Sequence, residues 1–253
     1  MIKIIFDYFY SNNQDKKLIM EKLENKPKLQ ILFIEPLYKE IIIAYKENQK
    51  NKIENIIDDD IDFIQLILGK YIKLLCITEN KSKILKCLKE TDLFPIDYCR
   101  EICEQYDVQN ALTYLYQKSG DYQNALKFSL KMIENNYNEI NNNLNSAIFK
   151  KKEFNEQIND FNDSVNQSLD ILILIEEIEN HKKNNLYLSS SDKDWFDILD
   201  KLYNISIIFE KIFLNLSSNR KKFGKIFDEA LSDNIILILD KMSSYISFQN
   251  ILE

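Results

Sequence analysis

Four cysteines, a single histidine, an aspartate triplet, an acidic cluster and a basic triplet are the residues of this chain whose types could do chemistry. Nucleophilic catalysis needs an activated Ser or Cys beside a base, usually His. His181 is flanked by Lys182 and Lys183 at an expected helix end, and nothing in the sequence places it beside Cys76, Cys87, Cys99 or Cys103. It reads as a solvent-exposed residue at a helix C-terminus. Cys99 and Cys103 are four apart, without the second Cys/His pair that a structural zinc site normally shows. All four cysteines fall on expected helices, so they read as reduced, buried and cytosolic residues. Asp58, Asp59 and Asp60 could in principle attract a hard divalent cation. Acidic residues in a first helical turn also complement the helix dipole, and that is the preferred reading. Glu176, Glu177 and Glu179 read as a solvated helix face. No phosphate-binding loop or dinucleotide fingerprint is present. These residues suggest neither an enzyme nor a bound cofactor.

The remaining candidate is electrostatic. With 33 basic and 40 acidic side chains the net charge is −7, so the chain as a whole has no long-range attraction for nucleic acid or anionic membrane. Arg220, Lys221 and Lys222 nevertheless form a local basic triplet, and Lys150 to Lys152 form a second. The 220–222 triplet reads as a turn that happens to be basic. If it faces the same side as 150–152, the two would attract acidic phospholipid heads or an acidic partner.

The elements that must position these residues are helical. Three glycines and three prolines in 253 residues leave little room for tight β-turns. The stretch from Pro95 to Asn135 organises the chain. Ile96, Cys99, Ile102, Cys103 and Tyr106 are followed by Val108, Ala111, Leu112 and Leu115, then by Tyr122, Ala125, Leu126, Leu130 and Ile133. Each set has helical spacing. Pro95 suits a first helical position, Gly120 a left-handed terminator, and Asp121 the N-cap of the next helix. The Ser-Gly-Asp turn predicts an antiparallel hairpin, with Ala111 and Ala125 as small inner-face residues that allow close approach.

The pattern formed by Ala111, Tyr114, Leu115, Gly120, Asp121, Tyr122, Ala125 and Leu126 resembles the clathrin-heavy-chain-type repeat. That repeat occurs in clathrin and in the vacuolar protein sorting subunits of endolysosomal tethering complexes. Within the group, the segment is most similar to the family of the CORVET-specific subunit, the one numbered eight. Tyr71 to Cys76, Lys83 to Leu88 and Cys99 to Cys103 resemble the helices leading into the hairpin, and weaker likeness returns in Asp194 to Leu199 and Met242 to Leu252. The resemblance implies an all-α fold, an α-solenoid of stacked helical hairpins. It also implies scaffold work by protein contact in endosome fusion and vacuolar or lysosomal protein sorting, at a cytoplasmic location peripheral to endosomal membranes. The implied partners are the class C core vacuolar sorting subunits, with a Rab-family GTPase and fusion machinery reached through the full-length protein. The family's β-propeller and RING finger match no residues here, so neither Rab recognition nor zinc-dependent activity is carried over. A clathrin-like coat or another tethering subunit is the rival reading. A helical-repeat enzyme or nucleic-acid-binding protein is disfavoured by the acidic balance.

Four segments are expected. Residues 1–56 form a weakly defined helical segment, whose first ten residues read equally as helix or strand, with two short helices broken near Pro36. Residues 57–134 form the repeat core, opening on a helix with a one-sided seam of Ile57, Ile61, Ile64, Leu68, Tyr71 and Leu75. Residues 135–163, rich in Asn and Lys, read as a loop or mobile insertion in which 139–149 could form a helix. Residues 164–253 are helical and end as if cut. They comprise a helix from Ser164 to about His181, one capped at Ser191 with Trp195 as a core anchor, another over 205–216, a basic turn over 217–222, and one or two more helices.

Overall fold

The computed structural model describes residues 13–51, 61–78, 81–182 and 190–246. Its elements are α1 (Asn13–Lys22), α2 (Pro27–Asn51), α3 (Ile61–Ile77), a 3-10 turn (Lys81–Lys83), α4 (Ile84–Leu88), α5 (Ile96–Gln105), α6 (Gln109–Lys118), α7 (Tyr122–Asn145), α8 (Lys151–Lys182), α9 (Ser190–Asn215) and α10 (Ser218–Tyr245). The fold is all-α and built of stacked helical hairpins, as the periodicity predicts. It divides into two compact units, Met1–Leu115 and Tyr116–Glu253. The first ten residues, Asp58 to Asp60 and the terminal Ile251 to Glu253 lie outside the described residues, as does the side chain of His181.

In the first unit α3 packs against α2, α4 and α5. Leu68, Tyr71 and Leu75 are buried as expected, but so are Ile67, Ile72, Leu74 and Cys76. The seam is wider than one-sided because neighbours touch α3 from several directions. Helix α2 corrects the expected break. It runs through Pro36 without interruption, because Ile34, Leu37, Tyr38 and Ile42 form one buried stripe across the proline. Splitting that stripe would expose more apolar surface than one missing N–H hydrogen bond costs, roughly 3 kcal/mol for an interior proline.

In the Pro95–Asn135 stretch the helix ends and the turn form as read. Pro95 serves as the N-cap of α5, one position earlier than expected. Gly120 adopts φ 76°, the left-handed conformation that ends α6. Asp121 Oδ1 then accepts the Asn124 N–H at 3.2 Å, capping α7. Ala111 and Leu115 are buried and belong to the first unit, while Ala125 and Leu126 are buried in the core of the second.

The second unit consists of two hairpins, α7–α8 and α9–α10. A five-residue loop (146–150) joins the first pair and residues 216–217 join the second, so helices that pack side by side run antiparallel. The hairpins stack on one shared core. Phe227 of α10 lies at its centre, with its ring 6.1 Å from Tyr137 of α7, 5.2 Å from Phe161 of α8 and 4.8 Å from Phe209 of α9. Trp195 is fully buried, as expected of an anchor.

This core overturns the reading of 135–163 as a loop. Tyr137, Ile140 and Leu144 close the buried stripe of α7, and Phe154, Ile158 and Phe161 open that of α8. The stripe steps by three and four residues, and the intervening Asn and Lys, apart from the buried Asn143, are exposed or half-exposed. Composition hid a periodic signal. Similarly, α9 is one helix where two segments were expected, and Arg220 to Lys222 belong to the opening of α10 rather than to a turn.

Candidate functional site

Antiparallel pairing decides where the basic triplets lie. Helices α7 and α9 end, and α8 and α10 begin, at the same end of the second unit, so Lys150–Lys152 and Arg220–Lys222 are brought together. The Phe223 ring sits 4.6 Å from that of Phe149 and 5.8 Å from that of Phe154, pinning the two hairpin loops side by side. Arg220 Nη1 donates to the Leu144 carbonyl at 2.7 Å, satisfying one of the C-terminal acceptors of α7. Lys222 Nζ stands 4.9 Å from the Phe223 ring centroid. Lys150 pairs with Glu153 at 2.9 Å and Lys152 with Glu156 at 3.8 Å, both exposed pairs of small energetic weight.

Within residues 141–156 and 212–222 the sequence holds six basic side chains and two acidic, Glu153 and Glu156. Three of these lysines, 151, 152 and 221, occupy the opening turns of α8 and α10, where the helix dipole disfavours cations by roughly 0.3–1 kcal/mol each. The placement does not serve stability.

The α7–α8 loop is held in place by side chains. Asn143 is buried; its Oδ1 accepts the Lys150 N–H at 3.1 Å, and its Nδ2 donates to the Lys150 carbonyl at 3.2 Å and to Gln157 Oε1 at 3.0 Å. Ser146 Oγ accepts the Ile148 N–H and donates to the Ile148 carbonyl. Sequence reasoning missed Asn143 because it sits in a run of three asparagines; the register of the buried stripe was the signal that could have singled it out.

The other candidates resolve differently. Glu176 is buried rather than solvated, and accepts the Trp195 indole N–H at 3.1 Å. A buried tryptophan's need for an acceptor is the clue that was available. Glu177 is exposed, as expected. The four cysteines are buried and unpaired in the first unit. Burial, with the neighbouring Cys76, pushes the Cys99 thiol up to about 12. Cys103 is pushed up by its hydrogen bond with Cys76 and by burial, and Cys87 by burial. These three thiols, held protonated, are poor nucleophiles. Nearby, Tyr38 stacks on Tyr71 at 4.3 Å and donates to Glu90 at 2.7 Å. Tyr114 Oη donates to the Leu88 carbonyl at 3.4 Å, so this repeat-motif residue braces α4. Among the described residues no group of three or more His, Cys, Asp or Glu is placed to hold a metal, and no helix is long and apolar enough to cross a membrane.

A groove of about 620 Å³ opens between α9 and α10, lined by Phe196, Leu199, Tyr203, Ile235 and Leu239, with Asp197 and Asp200 in its wall. Stacked helical hairpins with a basic end and an open apolar groove define the class: a helical-repeat protein. No protein-family model matches the chain. An uncharacterized membrane protein of Plasmodium falciparum (isolate 3D7) is 34% identical over 73 residues, which is 29% of this chain and 2% of that protein. The chain therefore spans a small fraction of the curated relative it matches. Among solved structures, a circular tandem repeat protein with novel repeat topology aligns with 90% of this chain and 52% of its own, at 7% identity and a TM-score of 0.38.

Proposed function

We propose that this chain is a scaffold segment of an endosomal tethering subunit of the CORVET type, acting through protein–protein contact in endosome fusion and vacuolar or lysosomal protein sorting. The observation that supports this reading is the Ala111–Leu126 motif. Its Gly120 turn, its Asp121 cap and the burial of Ala111, Leu115, Ala125 and Leu126 are compatible with the clathrin-heavy-chain-type resemblance. The groove between α9 and α10 supports a role in contact with other proteins, since it leaves Phe196, Tyr203 and Leu239 at the surface. In this reading the partners are the class C core vacuolar sorting subunits, a Rab-family GTPase engages the full-length protein, and membrane association is peripheral.

The test is crosslinking mass spectrometry on tagged full-length protein isolated from its own cells. Recovery of class C core subunits, with crosslinks into residues 95–252, is the expected result. Recovery of clathrin light chain, or of an unrelated complex, would replace tethering with a coat or another scaffold function.

A further inference from the structure

We propose that the basic end of the second unit lies flat against an anionic phospholipid surface, with Ile148 and Leu214 entering the interface and Lys151, Lys221 and Lys222 set against the lipid phosphates. Ile148 and Leu214 are the large apolar side chains most exposed among the described residues, at 74% and 69%. Both belong to this one end. Ile148 is in the α7–α8 loop and Leu214 in the last turn of α9, just before the link to α10.

An apolar side chain raised on a loop and surrounded by lysines matches the two layers of a bilayer interface, with phosphates outside and acyl chains beneath. The Asn143 and Ser146 hydrogen bonds hold the Ile148 loop in one conformation, so little ordering remains for contact to impose. The excess of six basic over two acidic side chains supplies attraction despite the acidic balance of the whole chain. Lysines placed against the helix dipole, and two apolar side chains left in water, are both unfavourable in the isolated protein; an anionic bilayer removes both penalties. An acidic protein would answer the lysines but offers no reason for Ile148 and Leu214 to stand clear of the surface. The inference rests on this geometry and not on the tethering reading.

The experiment is co-sedimentation of the full chain with phosphatidylcholine vesicles, with and without phosphatidylserine, across a salt series. Sedimentation with the anionic vesicles only, weakening with salt, is expected. Combined Lys151→Gln, Lys221→Gln and Lys222→Gln should weaken it about a hundredfold, as roughly fivefold (about 1 kcal/mol) per lysine compounds. Ile148→Ser with Leu214→Ser, which leaves the charge untouched, should also weaken it. Glutamine at Lys127, Lys193 and Lys241, exposed at the opposite end of the unit, should not. Absence of sedimentation at low salt, equal binding to neutral vesicles, equal loss in the distant glutamine variant, no effect of the serine pair, or retention on immobilised polyglutamate without vesicle binding would each overturn the proposal. Recovery of tethering subunits is decided separately by the crosslinking experiment, so either reading can fail alone.

Discussion

Truncating Phe227 to alanine should come close to unfolding the second unit. The ring is fully buried and contacts one aromatic side chain from each of the other three helices: Tyr137, Phe161 and Phe209. Deleting a core phenylalanine costs about 3–5 kcal/mol through lost transfer energy and the cavity left behind. Here the upper half of that range applies, because the cavity would open between four helices whose backbones are fixed by two short loops and cannot all collapse inward. Losing three aromatic pairs, each contributing roughly 0.5–1.5 kcal/mol beyond area burial, pushes the same way. Against a typical domain stability of about 5–15 kcal/mol, the loss takes a large share. Trp195 is the only tryptophan of the chain and is fully buried in the same unit, so its emission reports this unit's unfolding directly. Urea titration of wild type, Phe227→Leu and Phe227→Ala should give a small shift for leucine and a large one for alanine. A Phe227→Ala loss under about 1 kcal/mol at unchanged denaturant slope would refute the shared core and leave two hairpins that unfold independently.

Other expectations follow from single contacts. Among the described residues the buried Tyr137 hydroxyl has no hydrogen-bond partner, so Tyr137→Phe should stabilise the protein by about 1 kcal/mol; a lower melting temperature would contradict that burial. Gly120 has φ 76° with nothing among the described residues within 4 Å of an added Cβ, so Gly120→Ala should cost roughly 1–2 kcal/mol from backbone strain alone, seen as a lower urea midpoint. All four cysteines are buried and free, so a disulfide reagent should label none rapidly in the folded protein and all four in denaturant; one fast thiol would refute the packing around α3 and α5. Burial raises the Cys99 thiol from about 9 to about 12, so its contribution is fully present below pH 9 and is lost as pH rises toward 12. Cys99→Ala should flatten the fall of melting temperature over that window, and an equal slope would remove Cys99 as a cause.

Much of the fold was legible because local rules and tertiary packing agree where they meet. The Gly120 turn, the Asp121 cap and the buried Trp195 followed from backbone preference and apolar spacing. The errors occurred where composition competed with periodicity. Asparagine between residues 135 and 145 suggested disorder, although Tyr137, Ile140 and Leu144 kept a helical stripe. Pro36 suggested a break, although the stripe of α2 crosses it. In both cases a partner helix supplies burial that a local rule does not count.

The candidate site shows the same division. Sequence determined that two lysine-rich triplets exist, that helices flank both, and that Gly-Asp punctuation makes a turn. Whether the triplets share one surface depended on antiparallel pairing of helices separated by as many as 70 residues, and on Phe223 packing against Phe149 and Phe154. Local interactions act over one or two helical turns and fix periodicity, caps and turns. Which charged or apolar side chains become neighbours across the hairpins is set by the burial of a common core, which brings together residues far apart in the chain.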